Sequence, residues 1–274
     1  MQFLKRFFNF YLDASIHVAF AVVSLYGVSL RLLDIPGNIV LVGFIFCSTI
    51  VCYNFIKYGV EAEKYLIVKN SYHRCIQIFS FLAFLGAVYF LLKLGRFAVV
   101  VVVLLTLLSL LYAMPLVSKA KSLRSAAGLK VAIVAFEWVG FTVLLPIVAY
   151  TLPFSYDMLV VALQHFVLVV ALMVPFEIRD LKYDSEDLRT IPQLLGIQKA
   201  KVLGSVLTTV FFLLLFFKDA PKPFEIGATL ITAVTLVFFL WGTKKEQSKY
   251  YTAFWVESIP VLWWGLFWAS GSQF

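Results

Sequence analysis

Nine stretches of this chain are too long and too apolar to be hidden inside a water-soluble fold. They fall at roughly 11–33, 37–56, 75–92, 97–116, 131–151, 158–176, 201–217, 224–242 and 251–270. About 20 mostly apolar residues cross the hydrocarbon of a bilayer as a helix. Backbone groups in lipid must find their partners within their own segment, so each stretch reads as a transmembrane helix. Composition agrees, since only 14% of the residues are charged, against about 25% in a soluble domain. The expected fold class is all-α: a polytopic membrane protein with nine transmembrane helices in a single domain over 1–274.

Basic residues set the direction of threading. With the N-terminus inside, only Arg31, Lys93, Arg96, Lys218 and Lys222 fall in outer segments, and the other 18 of the 23 Lys and Arg residues lie inside. The expectation is a multi-pass cell-membrane protein with a cytoplasmic N-terminus and an outer C-terminus. The net charge of +8 is accounted for by this topology and does not point to nucleic acid. Outer connections are short, whereas two inner ones, about 57–74 and 177–200, are long. They follow the second and sixth spans, and this four-helix offset suggests two four-helix halves plus one. Cys47, Cys52 and Cys75 have no metal or redox spacing and read as packing residues.

The chemistry concentrates in the second long connection, E-I-R-D-L-K-Y-D from Glu177 to Asp184, followed by Arg189, Thr190 and Pro192. On a helix, Glu177, Asp180 and Asp184 stand at i, i+3 and i+7 and share a face. Three carboxylates on one face repel unless a cation lies between them. Mg²⁺ suits such a site, because it is commonly shared between carboxylates and substrate phosphates. Arg179, Lys182 and Arg189 stand close enough in sequence to hold phosphate oxygens. The competing reading is a solvated loop with internal ion pairs.

This run closely resembles the second aspartate-rich motif of the UbiA superfamily of intramembrane prenyltransferases, D-x-x-D-x-x-x-D followed by a basic residue, Thr and Pro. Glu177 stands at the first Asp position, while Asp180, Asp184, Arg189, Thr190 and Pro192 match. The Gly usual before the basic-Thr pair is absent, and Leu188 occupies that region. Tyr112 and Pro115, followed by Lys119, Lys121 and Arg124, are similar to the family's Tyr-x-x-Pro segment that ends helix four. The first motif departs from the pattern: Asn54 is present, but the three Asp positions hold Phe55, Tyr58 and Ala62. Asn54 and Glu61 lie at i and i+7 and could form a reduced metal site. Alternatively, Lys57 and Glu61 form an ordinary i,i+4 pair and the site is lost.

The resemblance implies Mg²⁺-dependent transfer of a prenyl group from an isoprenyl diphosphate to an aromatic or other lipophilic acceptor at the cytoplasmic membrane face. It implies catalytic and metal roles for Glu177, Asp180 and Asp184, with Asn54 and Glu61 as further metal ligands. Asn54, Tyr112, Lys119, Lys121, Arg124, Arg179, Lys182, Arg189 and Glu137 would then bind substrate. The degenerate first motif keeps a second function in view, a non-catalytic relative that binds isoprenoid or another lipid. A transporter fits poorly, because the charged residues gather at one face rather than at the midplane.

Ionisable residues inside spans are costly and usually functional or paired. Glu137 either orients an acceptor and takes its proton, or is neutral and bonded to a neighbouring helix. Asp13 and His17 stand at i and i+4, which fits a structural pair better than a proton relay. His165 reads as a packing residue. A C-terminal reporter that is active only in the cytoplasm is expected to stay silent on this protein, and a bright signal would refute the orientation.

Overall fold

A computed structural model describes residues 2–59, 70–113, 129–184 and 188–270. All regular structure among them is helical. In chain order the helices are α1 Gln2–Asp13, α2 Ile16–Leu32, α3 Ile39–Asn54, α4 Ser71–Leu91, α5 Arg96–Ala113, α6 Leu129–Val139, α7 Leu145–Ala149, α8 Tyr156–Asp180, α9 Ile191–Leu195, α10 Ile197–Leu214, α11 Pro223–Gly242 and α12 Ile259–Ala269. Three π-helical segments interrupt the pattern: Phe55–Gly59 extends α3, Gly140–Leu144 joins α6 to α7, and Tyr251–Val256 precedes α12.

Six of the nine expected segments are continuous helices long and apolar enough to cross a membrane, from Ile39–Tyr58 to Pro223–Gly242. The first segment is a bent pair, with a 57° turn between Leu4–Asp13 and Ile16–Leu32. The fourth contains a shorter apolar helix, Arg96–Leu111. The ninth is divided between the Tyr251–Val256 π turn and α12. The protein is thus an all-α polytopic membrane protein.

Side-chain caps start the helices where the chain leaves lipid. Asn38, Asn70 and Ser155 accept hydrogen bonds from the backbone N–H of Val40, Tyr72 and Met158, satisfying donors that have no partner inside the helix. Around the bundle, α2 packs on α3 and α12, α6 on α8, α8 on α10, α10 on α11, and α11 on α12. The two most intimate pairs, α3 with α4 and α8 with α10, each flank a long connection and lie four spans apart, in keeping with the layout repeat. Consecutive helices α4 and α5 make little contact with each other. Their outward faces carry Phe81, Phe84, Tyr89, Val100, Leu104 and Leu107, all exposed, as lipid-facing helices do.

The bend in the first segment has a definite cause. Ser15 has φ +60°, a left-handed conformation that costs a non-glycine residue about 1–2 kcal/mol. Asn54 holds it in place: its Nδ2 donates to Ala14 O at 3.1 Å and Ser80 Oγ at 2.8 Å, and its Oδ1 accepts from Ser15 Oγ at 2.7 Å. Tyr58 and Tyr72 hydroxyls donate to the backbone oxygen and the carboxylate of Asp13. The expected Asp13–His17 pair therefore does not form, because the helix breaks between them. His17 instead shares a proton with Tyr11 OH at 2.7 Å and faces Phe254 O at 3.0 Å. His165 is fully buried, edge-on to the Trp263 ring, the packing role expected of it.

Asn54→Ala removes all three bonds and strands the groups of Ala14, Ser15 and Ser80. A destabilisation of about 1–3 kcal/mol is expected, read as a lower thermal midpoint in detergent. An unchanged midpoint would refute the joint.

Candidate active site

At the end of the bundle that carries both long connections lies a cavity of about 250 Å³. Its polar lining comes from four helical segments: Tyr53 and Lys57 from α3 and its π turn, Lys130, Glu137 and Trp138 from α6, Arg179 and Asp180 from the end of α8, and Glu257 from the break before α12. Ile56, Met173, Phe176 and Pro260 complete the wall. The wall thus carries three cations and three carboxylates.

Each charge is held in a different way. Arg179 donates from Nε and Nη2 to the two oxygens of Asp180, at 2.7 and 3.1 Å, and from Nη1 to Thr252 Oγ1 at 2.9 Å. Its guanidinium also lies over the Phe176 ring, 5.2 Å from the centroid. Such a bidentate pair fixes both groups in one plane. Glu137 is buried and accepts from Ser109 Oγ at 2.6 Å. Trp138 Nε1 donates to Tyr53 OH at 2.8 Å, and both side chains line the cavity. Lys57 Nζ donates to Ser15 Oγ at 2.9 Å and Leu12 O at 3.4 Å. The side chains of Glu257 and Lys130 make no hydrogen bond among the described residues.

A second, apolar groove of about 340 Å³ lies between α3, α4 and α5, where α4 and α5 part. Phe44, Phe55, Phe84, Leu91, Leu110 and Phe141 are among the residues that line it. Ile56 borders both spaces. So does the Ser109–Glu137 bond, with Ser109 in the groove and Glu137 in the cavity.

The expected site residues separate into distinct groups. Arg179, Asp180 and Glu137 reach the cavity. Asn54 does not, being enclosed in the joint at the α1–α2 bend. Helix α8 is regular as far as Asp180, and the next turn keeps the Asp184 N–H on Asp180 O at 2.9 Å. Glu177 turns away and its Oε2 accepts from Ile191 N at 3.1 Å. It thereby satisfies the first N–H of α9, while Gln193 Oε1 accepts from Thr190 N at 2.9 Å. Asp184 is half-buried, and its shielded Oδ2 has no hydrogen-bond partner among the described residues. Lys130, Asp180 and Asp184 all lie within electrostatic reach of Glu177. Among the described residues, no three His, Cys, Asp or Glu side chains converge closely enough to hold a metal ion.

Lys182 is exposed with its ammonium over the Tyr183 ring, and Arg189 is exposed with φ +48°. The backbone of Tyr112 closes α5, but its side chain, like Glu61, Lys119, Lys121 and Arg124, lies outside the described residues. Glu257 and Lys130 are not among the residues expected from sequence. The signal for Glu257 was present, since it interrupts an apolar span just as Glu137 does.

These features define a class: an intramembrane helical protein whose charged cavity adjoins an apolar groove. No family model matches the sequence, and no curated protein matches it. Its fold is that of UbiA homologues. It is similar to a UbiA homologue from Archaeoglobus fulgidus bound to DMAPP and Mg²⁺, with a TM-score of 0.60 and 11% identity, over 97% of this chain and 99% of that one. The apo UbiA homologue from Aeropyrum pernix K1 gives a TM-score of 0.63 at 12% identity, over 93% and 98%. A structure of digeranylgeranylglyceryl phosphate synthase gives 0.57 at 13%, over 97% and 98%.

If Glu177 caps α9, Glu177→Gln keeps an acceptor oxygen and is expected to leave the fold and Mg²⁺ response near those of the parent. Glu177→Leu strands the Ile191 N–H, and limited proteolysis within 181–196 is expected to accelerate. A large loss of Mg²⁺ response in Glu177→Gln would instead make the carboxylate a ligand.

Proposed function

We propose that this protein is an intramembrane prenyltransferase, which moves a prenyl group from an allylic diphosphate to an aromatic or other lipophilic acceptor at the cytoplasmic membrane face. One observation carries this reading: the charged cavity abuts a lipid-facing apolar groove across Ile56. A molecule with a phosphate head and an isoprenoid tail matches that pair of spaces.

In this reading the tail lies among the phenylalanines of the groove, and the diphosphate lies against Lys130, Arg179 and Lys57. The allylic C–O bond breaks and its electron pair leaves with the diphosphate. Ammonium and guanidinium groups offset the negative charge that develops there. The faces of Phe176, Trp138 and Tyr53 border the allylic cation, an arrangement favourable to positive charge. The acceptor forms the new bond to the allylic carbon, and its proton passes to Glu137 or Glu257, the carboxylates on the cavity wall.

The residues present fit one Mg²⁺ rather than a closed carboxylate cage. Asp180 is at the cavity, and Asp184, four residues on, has a shielded oxygen with no partner among the described residues. Mg²⁺ is commonly held by one or two carboxylates together with substrate phosphates. Bound there, it would supply Lewis-acid stabilisation of the leaving group.

A second reading, a non-catalytic binder of isoprenoid or another lipid, draws on the capping role of Glu177 and the altered first motif. Thin-layer chromatography of labelled allylic diphosphate incubated with membranes carrying the protein separates the two. A prenylated product is expected. The double variant Asp180→Asn, Asp184→Asn is expected to lower turnover at least about tenfold, equivalent to about 1.4 kcal/mol of barrier. Unchanged turnover in that variant would end the assignment, and no product under any condition would favour the binder.

A further inference from the structure

The family pattern on the second span places three aspartates where this chain has Phe55, Tyr58 and Ala62. The first two of these positions are occupied with other contacts. Phe55 lines the apolar groove, and the Tyr58 hydroxyl donates to Asp13 O at 3.1 Å. The same π turn presents Lys57 to the charged cavity.

We infer that Lys57 acts there as a fixed cation, doing the electrostatic work of a carboxylate-held metal ion, so that the cavity binds a diphosphate headgroup with at most one divalent ion. The inference deepens the prenyl-diphosphate reading above and rests on it for the identity of the ligand.

Three observations carry it. First, among the described residues the ammonium is hydrogen-bonded to neutral acceptors. Ser15 Oγ and Leu12 O take two of its three N–H donors, and it makes no ion pair among the described residues. Glu257, Asp13 and Arg179 are the charged groups within its electrostatic reach, and Asp13 is already bonded to the Tyr72 hydroxyl at 2.7 Å. A lysine held in this way keeps one N–H donor for a ligand.

Second, Lys57, Lys130 and Arg179 come from three different helical segments and face one cavity. Arg179 spends three of its five donors on Asp180 and Thr252, so two remain for phosphate oxygens.

Third, the formal charges on the wall balance among the described residues. A site built from carboxylates alone repels an anion until metal ions invert its sign. Here Glu137, Asp180 and Glu257 meet three cations, so an anion can enter before any metal does.

The test uses the full chain in detergent, with inorganic pyrophosphate as probe, and measures binding by calorimetry in EDTA and in Mg²⁺. Parent protein is expected to bind pyrophosphate in EDTA. Lys57→Gln keeps a donor for Ser15 Oγ and Leu12 O but removes the charge. It is expected to weaken that binding at least about tenfold, the loss typical of one charge-assisted contact. Lys57→Arg is expected to retain it. Pyrophosphate binding by the parent that requires Mg²⁺ would overturn the inference whatever the variants do. So would parent-like affinity in Lys57→Gln. Lys57-dependent binding in EDTA without any prenyl transfer would sink the transferase reading and leave the cation site standing. Prenyl transfer with strictly Mg²⁺-dependent binding would do the reverse.

Discussion

Asn54 is enclosed completely, and its amide reaches three other places in the chain: Ala14 and Ser15 at the bend between α1 and α2, and Ser80 in α4. In lipid, a break in a helix exposes backbone groups that have no water to turn to. The bend at Ser15 survives because the Asn54 amide and its neighbours supply those partners. One residue later the α3 helix opens into its π turn, and two residues further stands Lys57, tied to the same Ser15 hydroxyl. The position of that cation in the cavity therefore depends on a neutral amide at the joint. Asn54 supports the site from behind rather than binding the molecule that enters it.

The three π segments lie next to the two cavities. Phe55–Gly59 presents Ile56 and Lys57, Gly140–Leu144 contributes Phe141 to the groove, and Tyr251–Val256 contributes Ala253 and leads into Glu257. A π turn widens the helix and rotates the facing of the residues beyond it, and such turns gather at functional sites. At Tyr251–Val256 the wider turn exposes the Thr252 hydroxyl to Arg179, so the break in the last span helps to aim the arginine on the sixth. The Ser109–Glu137 bond then separates the polar cavity from the apolar groove, with the carboxylate on one side and the hydroxyl on the other.

The UbiA fold persists here at 11–13% identity. Physics makes this understandable. Lipid asks only that outward faces be apolar, so phenylalanine, leucine and valine interchange freely there, and few positions on the outside are constrained. Close approaches are constrained: a Cβ on Gly27 would collide with the Trp264 indole, where α2 packs on α12.

Apolar segment length determined the all-α, multi-pass character from the sequence, because bilayer thickness and backbone satisfaction leave helices as the solution for such stretches. The spacing around Asp180 also marked one end of the sixth span as a charged one. Arg179, Asp180 and Glu137 were legible for that reason, as charged groups at or within apolar spans. Helical periodicity could not say where helices lose their register. Glu177 turns to the Ile191 N–H, the break at Ser15 separates Asp13 from His17, and the π turns bring Lys57 and Glu257 to one wall. Those outcomes depend on hydrogen bonds between residues as far apart as Ala14 and Asn54, or Arg179 and Thr252. Such partners meet only when the bundle closes, so only the tertiary structure could decide them.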